Sequence, residues 1–248
     1  MSRQPGLTHY YIEGLAGPNF QPARPSDQFV PGNPLNALLV TPPFRHHYFV
    51  DLDGGRAEAL RPLVADRIDV TVRDAGGALL DDILPRVRYD DYRRALCVLD
   101  PCGLRLDWNV VERAGRLRTL DLFLCLPVTH GNGGALWTRP GRVGAAERER
   151  MNRFWGDESW REIADHPVAR DGAAGKVARA KSAHDAVADA FRRRLRQEAG
   201  FANVPDPLPL ANAAGAIAGY LFFASAGNTA NDIVRDTFTR YRDGRPAV

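Results

Sequence analysis

The chain has 248 residues, of which 44% are hydrophobic and 25% are charged, and it contains 23 glycines and 18 prolines. These proportions are typical of a globular protein, and they exclude the collagen-like, disordered and disulfide-scaffold classes. The formal net charge of +3 is small for this length, and all but two of the 33 basic residues are arginines.

The cysteine, histidine and hydropathy patterns exclude further classes. The three cysteines, Cys97, Cys102 and Cys125, are odd in number and lack C-x-x-C spacing, which argues against a disulfide frame and a structural zinc site. The six histidines also lack metal-ligand spacing, so we predict no metal site. No stretch approaches the roughly 18 consecutive apolar residues of a membrane-spanning helix, and the first residues do not resemble a secretory signal. We therefore expect a cytoplasmic protein that does not contact a membrane.

Short apolar runs, most of them followed by a turn and then a helical pattern, predict strands. They extend over His9–Gly17, His46–Asp53, Asp69–Ala75, Ala95–Pro101, Thr119–Pro127 and Gly219–Ser225. The nearly continuous apolar run Leu120–Leu126 is typical of a strand that is buried on both faces, as in a parallel sheet covered by helices.

The intervening segments have helical periodicity. Apolar residues at steps of three and four predict helices over Gly54–Ala65, Ala78–Val87 and Lys176–Ala199, and Asn228 or Thr229 is placed to cap a closing helix. Strands that alternate with helices predict an open α/β fold. No linker composition divides the chain, so we predict a single domain over residues 1–248.

Residues 129–170 interrupt this alternation. The segment is rich in arginine and contains Trp137, Trp155 and Trp160, which are three of the four tryptophans. Because long loops in compact domains are usually functional or disordered, we interpret it as an ordered insertion that covers a site. We predict a short helix over Ala145–Trp155 within it. Its arginines between Arg139 and Arg153, with a second run at Arg192–Arg196, suggest contacts with phosphate, and a solvated surface is the alternative.

Four of the predicted strands end in a carboxylate. They supply Glu13, Asp51, Asp74 and Asp100, in chain order. Since the carboxyl ends of parallel strands meet at one edge of the sheet, where ligands bind in open α/β folds, we expect these side chains to share a site.

The residues at this edge suit a nucleoside ligand. A carboxylate after the second strand can accept hydrogen bonds from both ribose hydroxyls, with Asp51 as the first candidate and Asp53 as the second. Gly14 and Gly17 would let the backbone pass close to a ligand. The first turn does not read G-x-G-x-x-G, and no P-loop or G-x-S-x-G motif occurs, which argues against dinucleotides, ATP hydrolysis and serine hydrolases.

Several segments together resemble the three-Cys-motif partner proteins. They are Tyr11–Pro18, Pro31–Leu38, Phe49–Asp53, Leu99–Gly103, Arg153–Gly156 and Tyr220–Ser225. The resemblance covers the chain from about Tyr10 to Tyr241. It implies a Rossmann-like class I methyltransferase fold, with a mostly parallel seven-stranded sheet and helices on both faces, and association with a protein that carries a three-cysteine, radical-SAM-like motif.

The resemblance also implies site residues for S-adenosylmethionine. Glu13, Gly14 and Gly17 would lie at its methionine end, Asp51 at the ribose and Asp74 near the adenine. The fourth-strand motif Asp100-Pro101-Cys102 would lie beside the reactive methyl group. A nucleophilic Cys102 is one alternative, and a small residue in a position that the family fills with an aromatic side chain is the other.

The sequence therefore predicts an S-adenosylmethionine-dependent methyltransferase-like protein that acts on an unidentified substrate, with nucleic acid favoured. Asp100 would orient the acceptor or take its proton, and Trp137 or Trp155 would stack on a base. A non-catalytic partner of a three-cysteine protein and a small-molecule methyltransferase are the alternatives.

Overall fold

The computed structural model describes residues 6–14, 20–22, 29–31, 33–51, 68–101, 104–128, 143–165, 176–212 and 214–244. The predicted helix over Gly54–Ala65 lies outside these residues. The chain divides into two compact units, Met1–Asp100 with Leu117–Leu122, and Pro101–Arg116 with Phe123–Val248. The expected single domain stays a prediction.

Nine strands occur in the described residues. They are β1 (Thr8–Gly14), β2 (Phe20–Pro22), β3 (Phe29–Pro31), β4 (His46–Asp51), β5 (Ile68–Val72), β6 (Arg93–Leu99), β7 (Leu120–Pro127), β8 (Leu208–Ala211) and β9 (Ile217–Ser225). β2 and β3 form an antiparallel pair, and the other seven form one sheet in the order β5-β4-β1-β6-β7-β9-β8.

The seven-stranded sheet is mostly parallel. β1 pairs in parallel with both β4 and β6, β4 pairs in parallel with β5, and β8 and β9 pair antiparallel. Seven strands in this order, together with their helices, confirm the predicted Rossmann-like methyltransferase fold.

Seven α-helices lie in the described residues. They are α1 (Asn33–Leu39), α2 (Ala75–Gly77), α3 (Trp108–Leu117), α4 (Ala145–Trp155), α5 (Trp160–Asp165), α6 (Lys176–Gln197) and α7 (Asn228–Arg242). A π-helix at Ala78–Ile83 and a 3-10 turn at Leu84–Arg86 continue from α2, so this helical segment agrees with the predicted Ala78–Val87.

Helices cover both faces of the strands in the first unit. Tyr11 and Phe49 project from neighbouring positions on one face and pack with Ala37 of α1. Gly14 and Leu99 belong to the other face, because side chains alternate along a strand, and they lie against Leu79 of the π-helix. The prediction of helices on both faces is therefore confirmed for these strands.

An aromatic cluster forms the core of the second unit. The ring of Phe191 on α6 stacks on Phe154 of α4 with the centroids 5.6 Å apart, and it contacts Trp108, Trp155 and Phe222 at centroid distances of 5.1–5.9 Å. All five side chains are buried. Rings of this size bury a large apolar area, so this cluster joins α3, α4, α6 and β9.

The ends of the elements follow local chemistry. Helix α4 matches the predicted Ala145–Trp155 and ends at Gly156, whose φ of 100° is left-handed and whose N–H donates to the carbonyl of Asn152 at 2.8 Å. This is the usual role of a glycine just after a helix. No helix in the described part of the chain is long and apolar enough to cross a membrane.

Several elements were not predicted, and one burial prediction was wrong. The strands β2, β3 and β8 and the helix α1 are too short or too irregular in pattern to be evident from periodicity. Helix α3 was not predicted although its pattern is amphipathic, with Trp108, Val111 and Ala114 on its buried face. Strand β7 is not fully buried on both faces. Its leucines at 120, 122, 124 and 126 are buried, whereas the residues between them are half-buried.

Candidate functional site

Strand register brings the predicted carboxylates to one edge of the first unit. Gly14 of β1 is level with Val50 of β4 and with Leu99 of β6, so Asp51 and Asp100 each lie one residue beyond that level. Asp51 is in turn level with Val72 of β5, and Asp74 follows two residues later. Since neighbouring strands are about 4.8 Å apart, the four strand ends occupy one short edge of the sheet.

This edge includes the point at which the strand order reverses. The chain runs from β1 to β4 and then β5 on one side, and it later places β6 on the other side of β1. Loops that leave neighbouring strands in opposite directions open a crevice at such a point, where open α/β sheets bind their ligands. The reversal lies between β1, which ends with Glu13 and Gly14, and β6, which Asp100 follows directly.

Glu13 is a buried carboxylate at this edge. Only 3% of its surface is exposed, and the Tyr11 hydroxyl donates a hydrogen bond to Glu13 Oε2 at 2.9 Å. Burial raises the pKa of Tyr11, and the charge of Glu13 raises it further. The phenol therefore remains a hydrogen-bond donor at physiological pH.

Tyr11 was not among the predicted site residues. The signal was present, because residues two apart on a strand project from the same face. A tyrosine at that distance before a strand-end glutamate is therefore placed to hydrogen-bond to it.

The other strand-end carboxylates have different surroundings. Asp51 is 9% exposed at the end of β4, whereas Asp74 and Asp100 are exposed. Asp74 caps α2, accepting a hydrogen bond from the backbone N–H of Gly77 at 3.0 Å. Local helix capping thus provides a structural reason for Asp74, and its predicted contact with adenine is a separate hypothesis.

Gly14 also has a structural reason. A Cβ atom at this position would lie 2.7 Å from Leu99 Cδ2 and 3.1 Å from Leu79 Cδ1. Both leucines are buried, so a side chain at this position would force them to shift, and packing by itself favours glycine. Close approach of a ligand to Gly14 stays a prediction.

Some predicted site residues are not described. Gly17, Asp53 and Cys102 lie outside the described residues, and Pro101 is buried. Cys97 is 1% exposed, and burial, followed by the charge of Glu13, raises its pKa to about 12. Its thiol is therefore protonated and unreactive, as for a cysteine of the apolar core. Cys125 is half-buried.

Two tryptophans of the predicted insertion are buried and hydrogen-bonded within the protein. Trp155 and Trp160 are 1% and 0% exposed. The Trp155 Nε1–H donates to Ser159 Oγ at 2.9 Å, and the Trp160 Nε1–H donates to Asn152 Oδ1 at 2.7 Å. The prediction that Trp155 stacks on a base was wrong, because its ring belongs to the core of the second unit. Trp137 lies outside the described residues.

The described arginines of the two clusters mostly contact protein groups. Arg153 pairs with Asp107 at 2.7 Å, Arg194 pairs with Asp157 at 2.8 Å, and Arg192 pairs with Asp206. The guanidinium of Arg148 donates to the carbonyl of Val143 at 2.7 Å. Pairing with carboxylates reduces the positive potential that these arginines offer to a phosphate.

Two of these arginines line an acidic cleft of about 640 Å³ in the second unit. Arg153 and Arg194 are outnumbered there by the carboxylates Asp107, Glu112, Glu149, Asp157, Glu158 and Glu198. Arg194 also lies over the Trp108 ring, 4.8 Å from its centroid. This charge balance makes the cleft unsuitable for a phosphate backbone.

The side chains that could bind a metal ion do not gather at one place in the described residues. Within the described ranges, no three His, Cys, Asp or Glu side chains lie close enough together to hold a metal ion. The imidazole Nε2 of His46 lies 3.2 Å from Asp69 Oδ2, and the imidazole Nε2–H of His47 donates to the carbonyl of Ala37 at 3.4 Å. The adjacent histidines thus point to opposite faces of β4, as their alternation predicted.

No family model and no curated protein matches the sequence, so the resemblance to the three-Cys-motif partner proteins is not confirmed and stays a prediction. Solved structures with a similar backbone fold include a protein from Legionella pneumophila str. Philadelphia 1 described as DUF519. It has 12% identity and a TM-score of 0.48, over 95% of this chain and 84% of that one.

Two further similar structures are methyltransferase domains. The CMeT domain of the citrinin polyketide synthase has 12% identity and a TM-score of 0.42, over 90% of this chain and 48% of that one. The methyltransferase domain of bacterial CtHen1 has 11% identity and a TM-score of 0.41, over 88% and 89%. At these TM-scores the likenesses carry no functional argument, and the strand order alone carries the assignment of a Rossmann-like methyltransferase fold.

Proposed function

We propose that the protein binds S-adenosylmethionine at the edge of the sheet that contains Glu13, Asp51 and Asp100. The observation that carries this proposal is the position of these carboxylates at the reversal of strand order, between β1 and β6 and at the adjacent end of β4. Ligands of open α/β sheets bind at this point.

The residues present fit this cofactor. Glu13 and Asp51 project from the same face of the sheet, because Glu13 is level with Phe49 and Asp51 lies two residues further on. Both are buried acceptors. A buried carboxylate suits a cationic amino group, and a second one suits the two hydroxyls of a ribose.

Each residue then has a proposed role. Glu13 would receive the amino end of the cofactor, Asp51 its ribose and Asp74 the region of its adenine, with Gly14 and Gly17 next to the amino end. Asp53 is the second candidate for the ribose. When bound, S-adenosylmethionine supplies an electrophilic methyl group.

Asp100 would act on the acceptor. It follows β6 directly and is exposed, so its carboxylate is accessible to a substrate at this edge. Its proposed role is to orient the acceptor or to take its proton, next to Pro101 and Cys102. A nucleophilic Cys102 remains the alternative role for that residue.

Calorimetric titration with S-adenosylmethionine and S-adenosylhomocysteine tests the proposal. The wild-type chain is expected to bind both, and Asp51→Asn is expected to weaken binding by about 1–3 kcal/mol, because an amide is a poorer acceptor for the ribose hydroxyls. Binding by the variant at wild-type affinity would contradict the role of Asp51. Absence of binding to the wild type would overturn the proposal itself.

A matched control separates this role from a general effect of charge. Asp90 lies in a turn of the same unit, and its side chain is 84% exposed. Asp90→Asn removes the same charge away from the sheet edge, so its affinities are expected to equal those of the wild type. Urea denaturation of both variants shows whether the buried position of Asp51 also alters stability.

The substrate is a second part of the proposal. Nucleic acid is favoured by arginines that are exposed on α6, namely Arg193 and Arg196, and by the arginine content of the 129–170 segment. Association with a three-cysteine protein without catalysis and methylation of a small molecule are the alternatives. A chain that binds S-adenosylmethionine but retains no nucleic acid would favour these alternatives.

A further inference from the structure

Tyr11 and Glu13 form a buried pair at the start of the proposed cofactor site. They lie two residues apart on β1, on one face of the sheet, and are 4% and 3% exposed. The Tyr11 hydroxyl donates to one oxygen of the Glu13 carboxylate, Oε2, at 2.9 Å. This hydrogen bond restrains the position of Oε2 relative to the strand, because it joins two side chains of one rigid element.

The ring of Tyr11 is itself held in place. It packs against Phe44 at a centroid distance of 5.5 Å, against Phe49 at 5.9 Å and against His47 at 6.1 Å. In a close-packed core a side chain with three ring neighbours has little freedom to change rotamer. The hydroxyl therefore has a defined position, from which it holds Glu13.

The direction of this hydrogen bond is also defined. Burial and the nearby carboxylate keep the Tyr11 phenol protonated, so it donates and the carboxylate accepts. A carboxylate in surroundings of low dielectric attracts a cation more strongly than an exposed one does, provided that its orientation suits the cation.

We propose that Tyr11 is a positioning residue that holds the Glu13 carboxylate in the orientation needed for the cationic amino group of the cofactor. This inference rests on the proposed function and adds to it the residue that sets the preference for a ligand with an amino-acid end. Tyr11 acts through Glu13 and does not itself contact the ligand.

A double-mutant cycle tests the inference. The variants are Tyr11→Phe, Glu13→Gln and the combination of both, titrated calorimetrically with S-adenosylhomocysteine. Tyr11→Phe keeps the ring packing and is expected to weaken binding about tenfold, as for loss of a hydrogen bond to a charged group. In the Glu13→Gln background the same change is expected to alter affinity by less than about twofold, because the charged group has gone.

A second ligand provides a readout that a purely structural role would not change. Methylthioadenosine has the nucleoside and the thioether but lacks the amino-acid end. Its affinity is therefore expected to be the same for the wild type and all three variants. Tyr48→Phe is the matched control, since Tyr48 is buried on the opposite face of the sheet, and it is expected to leave both affinities unchanged.

Each result supports or overturns a specific statement. Unchanged binding of S-adenosylhomocysteine by Tyr11→Phe would overturn the role of Tyr11 alone, as would an equal loss in the Glu13→Gln background or with methylthioadenosine. If the wild type binds neither ligand, the proposed function fails and this inference fails with it. Should Tyr11→Phe not fold, Glu13→Gln decides by itself, because wild-type affinity for S-adenosylhomocysteine in that variant would leave Tyr11 no charged group through which to act and would overturn the inference.

Discussion

At the scale of single residues, the predicted site residues also have roles in the fold. Asp74 caps α2, and Gly14 makes room for the side chains of Leu79 and Leu99. Each role arises from contacts within the first unit, and each is sufficient to explain the residue type. The buried Glu13 is different, because a carboxylate out of water is costly unless hydrogen bonds or a cation stabilise it. The Tyr11 hydroxyl supplies one such hydrogen bond.

His184 on α6 links stability to pH. It is 8% exposed, and its Nε2 has no hydrogen-bond partner within the described part of the chain. Burial lowers its pKa, and the charge of Asp185 raises it to a smaller extent. As the pH falls, the His184 imidazole is therefore protonated in the unfolded chain at about pH 6.5 and in the folded chain only at a lower pH. The free energy of unfolding falls as the pH falls below about 6.5.

Replacing this histidine removes that contribution. His184→Leu is expected to reduce the loss of stability between pH 7 and pH 5 by up to about 1.4 kcal/mol for each pH unit in which only the unfolded chain is protonated. Urea denaturation at pH 7, 6 and 5 measures it, and His9→Gln at an exposed position is the control. An identical pH dependence in His184→Leu and the wild type would show that the histidine is not the cause.

At the scale of elements, one glycine determines how closely two segments of the second unit approach. Gly115 of α3 faces the backbone that follows α6, and an added Cβ would collide with the carbonyl oxygen of Ala199 and lie 2.8 Å from its carbonyl carbon. Backbone atoms cannot move away as the end of a flexible side chain can. The approach of these two segments therefore depends on glycine.

The contact between Gly115 and Ala199 reverses the usual effect of replacing a helical glycine with alanine. Alanine in place of glycine within a helix normally stabilises it by about 0.5–1 kcal/mol. Gly115→Ala is instead expected to destabilise the protein by about 3 kcal/mol or more, because α3 must move away from Ala199. Denaturation in urea measures the difference, with Gly6→Ala as a control because open space surrounds Gly6. Wild-type stability of Gly115→Ala would contradict this close contact.

At the scale of the whole molecule, the charge distribution limits which arginines could bind a nucleic acid. The net charge is only +3, and several arginines contact carboxylates or carbonyls. A nucleic-acid ligand would therefore depend on the remaining exposed arginines, with Arg193 and Arg196 on α6 among those described. Binding of this kind releases counterions and weakens as the salt concentration rises.

A salt series tests this dependence. If nucleic acid is the ligand, the affinity for single-stranded RNA or DNA in a mobility-shift assay is expected to fall about a hundredfold between 50 and 200 mM salt, as for about five phosphate contacts. The double variant Arg193→Gln/Arg196→Gln is expected to bind more weakly and with a shallower salt dependence, whereas Arg88→Gln, at an exposed position in the other unit, is the control. No retention by the wild type at the lowest salt concentration would exclude nucleic acid.

Much of the fold could be predicted from local patterns. The apolar runs indicated β1, β4, β5, β6, β7 and β9, and periodicity indicated α4, α6 and α7. These features depend on which residues are near one another in the sequence, so a single chain shows them directly. The meeting of Glu13, Asp51 and Asp100 at one edge followed from the prediction that their strands are parallel, and the registers now place them there.

Other features were decided only by tertiary packing. Whether Trp155 meets a ligand or the core depends on Phe191, which is 36 positions away in the chain. The arginines that suggested a phosphate surface are paired with carboxylates brought from other elements, as Arg153 is with Asp107. Sequence by itself determined the type of most elements, because this depends on local preferences, whereas the order of the strands in the sheet was decided by the tertiary structure. The partner of each buried ring and charge was decided by the tertiary structure, since such contacts join residues that no local pattern relates.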